Sequence, residues 1–416
     1  MNSSEYAALV ALDWGDQEHV FALRSGGKKE TGTIAAAAES IHPWLESLGQ
    51  RHGYRPIALA IEAGKNALLH ALTAYPWLTI YPVHPATSER FRQAFTPSGA
   101  KADGPDAEVL LTVLDQHRTQ LRALNLDTPQ TRALAALTEV RRNAVDHRSQ
   151  LSNELRSTLK LYFPQALELF GDDLWTPLAL DFLARWPELA AVQRAKPATV
   201  QTFYTAHNSR RQTVIAERIA LIQQARPMTT DRAVIAPAIL QVQLLIAVLR
   251  PLQQHLLAIE AQIAEAFAAH EEVDLYRNLP GAGPALAPRL LVAFGTVRSR
   301  YPNASSMQKY TGVAPVTERS GRQIWIHWRW NAPKFLRQTF VEWAGQTIPK
   351  CAWAKAYYLQ QKRAGKHHQT ILRALAFKWI RILWRCWQDR TPYDESRYIQ
   401  SLIRQNSPLI KYLLAA

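Results

Sequence analysis

Asp13 closes the apolar run Tyr6–Trp14, and Glu62 follows directly on Ile57–Ile61. Asp103 and Asp106 stand in Lys101-Ala-Asp-Gly-Pro-Asp-Ala-Glu108, where a helical stretch begins. Acids at strand ends and at a helix start can converge on one edge of a sheet. There they would hold two Mg²⁺ ions, because a hard cation needs several oxygen ligands and carboxylates crowded together repel one another without metal. Asp103 and Asp106 are three residues apart, so a first helical turn puts them on one face. Taken singly, Asp13 reads as the opening of a turn and Asp106 as an N-cap; the conjunction is what is specific. Asp16 and Glu108 lie nearby but outside the strand-end positions.

A second kind of chemistry gathers toward the other end of the chain. Leu279-Pro-Gly-Ala-Gly-Pro-Ala-Leu-Ala-Pro-Arg-Leu-Leu291 has the pattern of a helix-hairpin-helix turn, whose Gly281 and Gly283 would let backbone N–H groups approach a nucleic-acid phosphate. From Leu275 to Arg390 there are 20 Lys plus Arg against three acids, a balance of +17 that exceeds the +15 of the whole chain. The positive charge therefore belongs to one region, and a phosphate polymer is its natural partner. Eight of the thirteen tryptophans fall between Trp325 and Trp387, several interleaved with Lys and Arg as in Lys378-Trp-Ile-Arg-Ile-Leu-Trp-Arg385. That texture suits either a core or a stacking surface for bases.

The elements that must position these residues can be read from periodicity. Tyr6–Trp14, His19–Leu23, Ile57–Ile61 and Leu78–Val83 read as strands, and Ala37–Leu48, Asn66–Ala74 and Asp106–His117 as helices. A hairpin followed by strands entered from helices suits a ribonuclease H-like mixed sheet over residues 1–120. From Thr128-Pro129 the texture becomes helical, with Leu134, Leu137, Ala144, Leu151, Leu155 and Leu159 on one face up to Phe163-Pro164. A second long helix is expected from Pro237 to Ala269, with Leu240, Leu244, Val248, Leu252, Leu256 and Ile259 as its apolar row and a kink or break at Pro251. The pair reads as bundle helices or as a coiled-coil spacer that dimerises, an assignment that Arg141 and Arg148 complicate. Residues 128–270 thus form a helical region interrupted by an insert at 165–231, whose chemistry is not readable. Residues 271–416 follow as a mainly helical domain with a strand at Ile324–Trp330 and helices from Pro333 onward.

At 416 residues and 47% hydrophobic content, two or three domains are expected. The apolar stretches, the longest at Ile239–Leu249, are too brief to span a bilayer, and residues 1–20 carry no secretory pattern, so a cytoplasmic protein is expected. Cys351 and Cys386 have no partners at zinc-ligand spacing and read as core thiols.

Asp13, Glu62, Asp103 and Asp106 resemble the Asp-Glu-Asp-Asp (DEDD) signature of insertion-sequence transposases with a RuvC-like domain in front and a separate transposase domain behind. In the back half, Leu279-Pro-Gly-Ala-Gly-Pro284, Tyr310-Thr-Gly-Val-Ala-Pro315, Ser320-Gly321 and Lys334-Phe-Leu-Arg337 are similar in order and approximate spacing to that second domain. The resemblance implies a recombinase guided by a structured bridge RNA that pairs with donor and target DNA. It also implies that Ser320 attacks a DNA phosphate and forms a covalent phosphoserine link, assisted by metal on the four acids, in a homodimer or a dimer of dimers. Arg319 and Arg322 would clamp the phosphate, with Gly281, Gly283, Lys334 and Arg337 as further nucleic-acid contacts. Without the resemblance, Ser320-Gly321 reads as a surface turn. Ser305, Ser306 and Tyr310 compete for the nucleophile's role, Ser305-Ser306 reading rather as a cap for a helix at Met307. Two alternatives keep the same residues: a Holliday-junction-like nuclease using water, and a non-catalytic nucleic-acid-binding protein.

Overall fold

The computed structural model describes residues 5–62, 67–95 and 103–413, and the chain divides into two compact units between Leu126 and Asp127. In the first unit, β1 (Ala8–Asp13), β2 (Glu18–Ser25) and β3 (Lys28–Ala35) form an antiparallel meander, followed by α1 (Ala38–Arg51). Then come β4 (Ile57–Glu62), α2 (Ala67–Leu72), β5 (Leu78–Val83), α3 (Pro85–Phe95) and α4 (Asp103–His117). The sheet order is β3-β2-β1-β4-β5, with β4 parallel to both β1 and β5. This is the ribonuclease H-like arrangement expected from the hairpin and the helix-entered strands. The polar edge strand β3 and the helix α3 had no apolar period to announce them. β3 (Lys-Lys-Glu-Thr-Gly-Thr-Ile-Ala) buries only Ile34.

Residue size differs between the two faces of the central strands. Val10 and Leu12 of β1 and Ile57, Leu59 and Ile61 of β4 pack with Ile41, Leu45 and Leu48 of α1 and with Leu68 and Leu72 of α2. The alternate positions, Ala11, Ala22, Ala58 and Ala60, meet Ala107, Leu110, Leu111 and Leu114 of α4. Small side chains on that face let α4 lie close to the sheet.

The second unit is built on two long helices, α5 (Pro129–Tyr162) and α11 (Arg232–Ala268), which pack together. Between them lie five shorter helices: α6 (Gln165–Phe170), α7 (Pro177–Arg185), α8 (Leu189–Gln193), α9 (Pro197–Ala206) and α10 (Gln212–Gln224). The insert thus has a core of its own, in which Phe182, Trp186, Phe203 and Tyr204 pack with Leu155, Leu159 and Tyr162 of α5 and Val242, Leu245, Ile246 and Leu249 of α11. At the opposite ends of the pair, Leu134 and Ile263 join the core of the helices that follow.

Four expectations for α11 are corrected. The helix begins at Arg232, capped by Asp231 accepting from the Ala233 N–H at 2.8 Å, so Pro237 is not its first residue. Pro251 does not interrupt it: the ring sits on an exposed face, where the carbonyl it leaves unbonded is open to water. The row Leu240, Leu244, Val248 points outward, Leu240 being 67% and Leu244 58% exposed, while Val242, Leu245, Ile246, Leu249 and Leu256 form the buried row. Contrary to the reading that every apolar stretch is too brief, α11 is long and apolar enough to cross a membrane. Its companion α5 explains that composition differently, because a charged helix lies along it: Arg141 of α5 pairs with Glu260 of α11 at 2.6 Å. Arg148, awkward in an apolar seam, instead stacks on Trp175 at 4.1 Å.

The remainder runs α12 (Val273–Tyr276), α13 (Gly283–Phe294), α14 (Ala304–Tyr310), the antiparallel hairpin β6 (Val316–Ser320) and β7 (Gln323–His327), then α15 (Lys334–Thr347), α16 (Ala352–Arg363), α17 (His368–Asp389), α18 (Glu395–Arg404) and α19 (Ile410–Leu413). The expected strand at Ile324–Trp330 is β7, ending at His327. Its partner β6 is a strand that was not expected.

Candidate active site and nucleic-acid interface

Strand parity decides where the acids point. On β1 the odd positions Leu9 and Ala11 face α4, and Asp13 continues that series; on β4 the even positions Ala58 and Ala60 face α4, and Glu62 continues that one. The parallel register pairs Leu12 with Ile61, so one further step sets Asp13 beside Glu62 at the carboxyl ends of adjacent strands. Asp106, in the first turns of α4, joins them in lining a cavity of about 490 Å³ with Trp14, Ser88, Glu89 and Arg92. Asp103 is the first residue of α4, and its side chain lies outside the described residues. Glu108 is engaged elsewhere, with Lys29 at 2.7 Å, and Asp16 is exposed in the β1–β2 turn.

Two polar partners of the acids come from one face of α3. Ser88 Oγ donates to Glu62 Oε1 at 2.8 Å, and Arg92 Nη1 donates to both oxygens of Asp106 at 3.0 and 3.2 Å. Ser88 and Arg92 are four residues apart, the spacing that puts two side chains on the same helix face. Neither was singled out from the sequence, although their spacing in the Pro85–Phe95 stretch carries the signal. Trp14, 42% exposed beside Asp13, was also missed as a cavity residue. On the inner side of the turn, a Cβ on Gly15 would lie 2.5 Å from the Glu18 carbonyl oxygen, and burial holds the His19 imidazole below its ordinary pKa.

Oxygen donors of this kind suit a hard divalent cation. Among the described residues, however, no three acids or histidines are drawn together around one point, and Arg92 supplies the positive charge at Asp106. The donor chemistry fits a metal, and Arg92 pairs with Asp106 at the same cavity.

Ser320 occupies a different setting. The β6–β7 register ends at Ser320 opposite Gln323, leaving a two-residue turn of Gly321 and Arg322. Gly321 has φ +58°, the left-handed value that a first turn position of this kind asks of glycine. Arg319, Ser320 and Arg322 are all exposed, as are Ile324, Trp325 and Ile326, so both faces of β7 lack cover. Near the base of the hairpin His327 Nε2 lies 2.8 Å from Glu318 Oε1, and its Nδ1 is 3.0 Å from the Trp328 carbonyl oxygen. The bond to Glu318 raises the imidazole pKa above its ordinary value.

The remaining expected contacts divide. Lys334 is exposed at the start of α15. Arg337 donates to the Arg329 carbonyl at 3.1 Å and lies over Trp328, which also carries Arg373 at 3.9 Å. In the hairpin motif, Gly281 at φ +70° packs against α15: a Cβ there would meet the Gln346 carbonyl oxygen at 2.4 Å. The neighbouring Pro280 carbonyl accepts from Trp343 Nε1 at 2.9 Å. Gly281 is thus used for helix packing, while Gly283, at φ +55°, faces open space. The preceding α12 is only four residues long. Ser305-Ser306 is not the cap of α14. Asn303 is, accepting from the Ser306 N–H at 2.9 Å, because its extended backbone just precedes the helix. The tryptophans divide: Trp343, Trp353, Trp379 and Trp387 are fully buried, Trp328 and Trp384 are half-buried, and Trp325 and Trp330 are exposed. Both cysteines have thiols raised by burial, Cys351 to about 12 and Cys386 to about 11, as core thiols should.

A ribonuclease H-like sheet with acids on its central strand ends and on the helix across them defines a DEDD transposase domain. Residues 10–164 match the DEDD transposase domain of IS110, and residues 273–359 match the transposase domain of the IS116/IS110/IS902 family. The chain is 28% identical over 413 residues to the protein named as transposase of the IS117 mini-circle in Streptomyces coelicolor, covering 95% of this chain and 97% of that protein. It is 27% identical over 389 residues to the uncharacterized 44.8 kDa protein of insertion element IS116 in Streptomyces clavuligerus, covering 92% and 94%. With both domains in order, the chain belongs to the IS110 family of transposases, enzymes that act on DNA. Its DEDD domain points to a divalent metal requirement.

Proposed function

We propose that this transposase cuts and rejoins the DNA strands of an insertion sequence through a covalent link to Ser320, under the guidance of a structured RNA. The observation that carries the phosphoryl-transfer part is the parity that turns Asp13 and Glu62 to the α4 face, toward the cavity that Asp106 also lines. Asp13, Glu62, Asp103 and Asp106 would hold Mg²⁺, as two ions. Bound metal of that kind lowers the pKa of an attacking hydroxyl and neutralises charge on the phosphate. In the step itself the Ser320 Oγ–H bond gives up its proton, an Oγ–P bond forms, the P–O bond to the 3′ oxygen breaks and that oxygen is protonated. The phosphoester retains the energy of the broken bond, so the reverse attack reseals a strand without ATP. Arg319 and Arg322 flank Ser320 and would hold the phosphate between them. RNA guidance and the pairing of donor and target DNA rest on the family resemblance.

Two duplexes must be held together, and the outward row of α11 suits an interface between copies of this chain. Ala233, Pro237, Leu240, Leu244, Ala247 and Pro251 recur at heptad spacing and are all exposed. We assign a homodimer, or a dimer of dimers, to this face. Leu240→Glu combined with Leu244→Glu should yield a monomer by light scattering, and an unchanged mass would remove the assignment.

The decisive experiment is a trapped reaction on a nicked substrate. A DNA adduct mapped to the peptide containing Ser320 is expected. An adduct on Ser305, Ser306 or Tyr310 would transfer the role. Free 3′-hydroxyl and 5′-phosphate ends from Ser320→Ala at the wild-type rate would establish a water-using nuclease instead.

A further inference from the structure

A second cavity, of about 580 Å³, opens between α17 and α18, beyond the end of the matched transposase domain at residue 359. Lys378, Arg381 and Arg385 of α17 line one wall, and Arg397 and Arg404 of α18 the other. The acids nearby are already committed. Asp389 pairs with Arg385 at 2.7 Å, Asp394 caps α18 by accepting from the Ser396 and Arg397 N–H groups, and Glu395 accepts from the Ala352 N–H at 2.7 Å. Lys378, Arg381, Arg397 and Arg404 form none of the ion pairs found among the described residues. Burial, and then the adjacent Arg381 charge, lower the Lys378 pKa, and the Lys378 ammonium lies 5.0 Å from the centre of the Tyr357 ring. Tyr393, Tyr398, Ser401 and Gln405 add polar groups along the same walls.

We propose that this groove binds the phosphodiester backbone of a nucleic-acid strand, as a site separate from both the carboxylate cavity and the Ser320 hairpin. Residues 378 to 385 and 397 to 404 each span seven positions, about 10 Å of helix at about 1.5 Å per residue. With phosphates spaced by about 3.4 Å of rise on one strand, the groove accommodates two or three in succession. The committed acids leave the set net positive, and its side chains reach from two helices toward one strand. Both features suit backbone contact rather than the reading of bases. The inference rests on the reading of this chain as a nucleic-acid enzyme and adds where part of the affinity resides.

The test uses the full chain with Arg381→Gln, Arg397→Gln and Arg404→Gln combined, all three positions being exposed. Three labelled probes are compared by fluorescence anisotropy over a range of salt: a 30-base-pair duplex DNA, a single-stranded DNA and a single-stranded RNA. For the strand type that uses the groove, the slope of log K against log salt should fall by about 1 for each phosphate contact removed, and by roughly 3 in all for a duplex. The corresponding change to three lysines should preserve most of the slope, which a loss of folding would not. Loss confined to the RNA arm assigns the groove to the guide, and loss in either DNA arm assigns it to donor or target. Wild-type binding with slopes unchanged in every arm of the glutamine variant would overturn the site while leaving the transposase reading intact. A wild-type chain indifferent to all three probes would overturn both.

Discussion

The carboxylate cavity and the Ser320 hairpin are built on opposite principles. Asp13 and Glu62 sit on central strands buried on both faces, and their directions follow from register and parity. Ser320 sits at the end of a two-stranded ribbon whose β7 side chains are almost all exposed. A two-stranded ribbon has little stability of its own, so the hairpin's conformation depends on what it meets. The acids stand on a packed sheet; Ser320 stands on an exposed ribbon, a setting that suits its proposed role on a DNA strand.

The contrast can be broken most directly at the two proposed reactive centres. Asp106→Asn and Ser320→Ala should each reduce strand exchange by roughly 10³-fold, the scale of losing a group that acts in the transition state. Their urea melts should both stay near wild type. Ser320 is exposed, where a substitution costs within about 0.5 kcal/mol; asparagine retains the shape of Asp106 and one acceptor for Arg92, so only the charge of that pair is lost, about 1 kcal/mol. Restored activity on mixing the two variants would show that the two halves act from different chains. Wild-type exchange by either variant removes that residue from the chemistry.

Two glycines give the next test, on stability. Gly281→Ala forces a Cβ to 2.4 Å from the Gln346 carbonyl oxygen at a left-handed φ of +70°, and a loss of about 2–4 kcal/mol is expected in urea unfolding. Gly321→Ala at φ +58° meets nothing within 4 Å, so only the local strain of about 1 kcal/mol applies, confined to the hairpin. Equal losses would show that the hairpin is as tightly packed as the body of its unit.

Arg92→Ala sharpens the cavity side. Arg92 supplies the charge at Asp106 that a cation would otherwise supply, so its removal should tighten Mg²⁺ binding several-fold by calorimetry. Weaker binding would make Arg92 a residue that positions Asp106 for metal rather than one that competes with it.

The smallest effect belongs to His327. Its pKa is raised, chiefly by the Glu318 bond, so whatever the pair contributes to the hairpin is fully present below the ordinary histidine value of about 6.5 and is lost as pH rises through the higher folded value. NMR titration should find His327 above its ordinary value, and Glu318→Gln should lower it. An ordinary value in the wild type would show that the pair does not form in solution.

Much of this was available from residue order alone. Runs such as Ile-Ala-Leu-Ala-Ile announce strands whatever surrounds them, and Asp13 and Glu62 were singled out as acids at the ends of two such runs; the face each one takes came with the register. The net charge of Leu275–Arg390 is likewise a property of composition. Only the tertiary structure decided which surfaces would be covered. Leu240 and Leu244 have the same hydrophobicity as Leu245 and Leu249, and Trp330 the same as Trp343, yet the first of each set is exposed and the second buried. Gly281 packs against a helix backbone, and Arg92 reached Asp106 from a helix that no apolar period had announced. Such pairings join residues distant in sequence and depend on close packing between elements, for which the local pattern of a chain has no period to record.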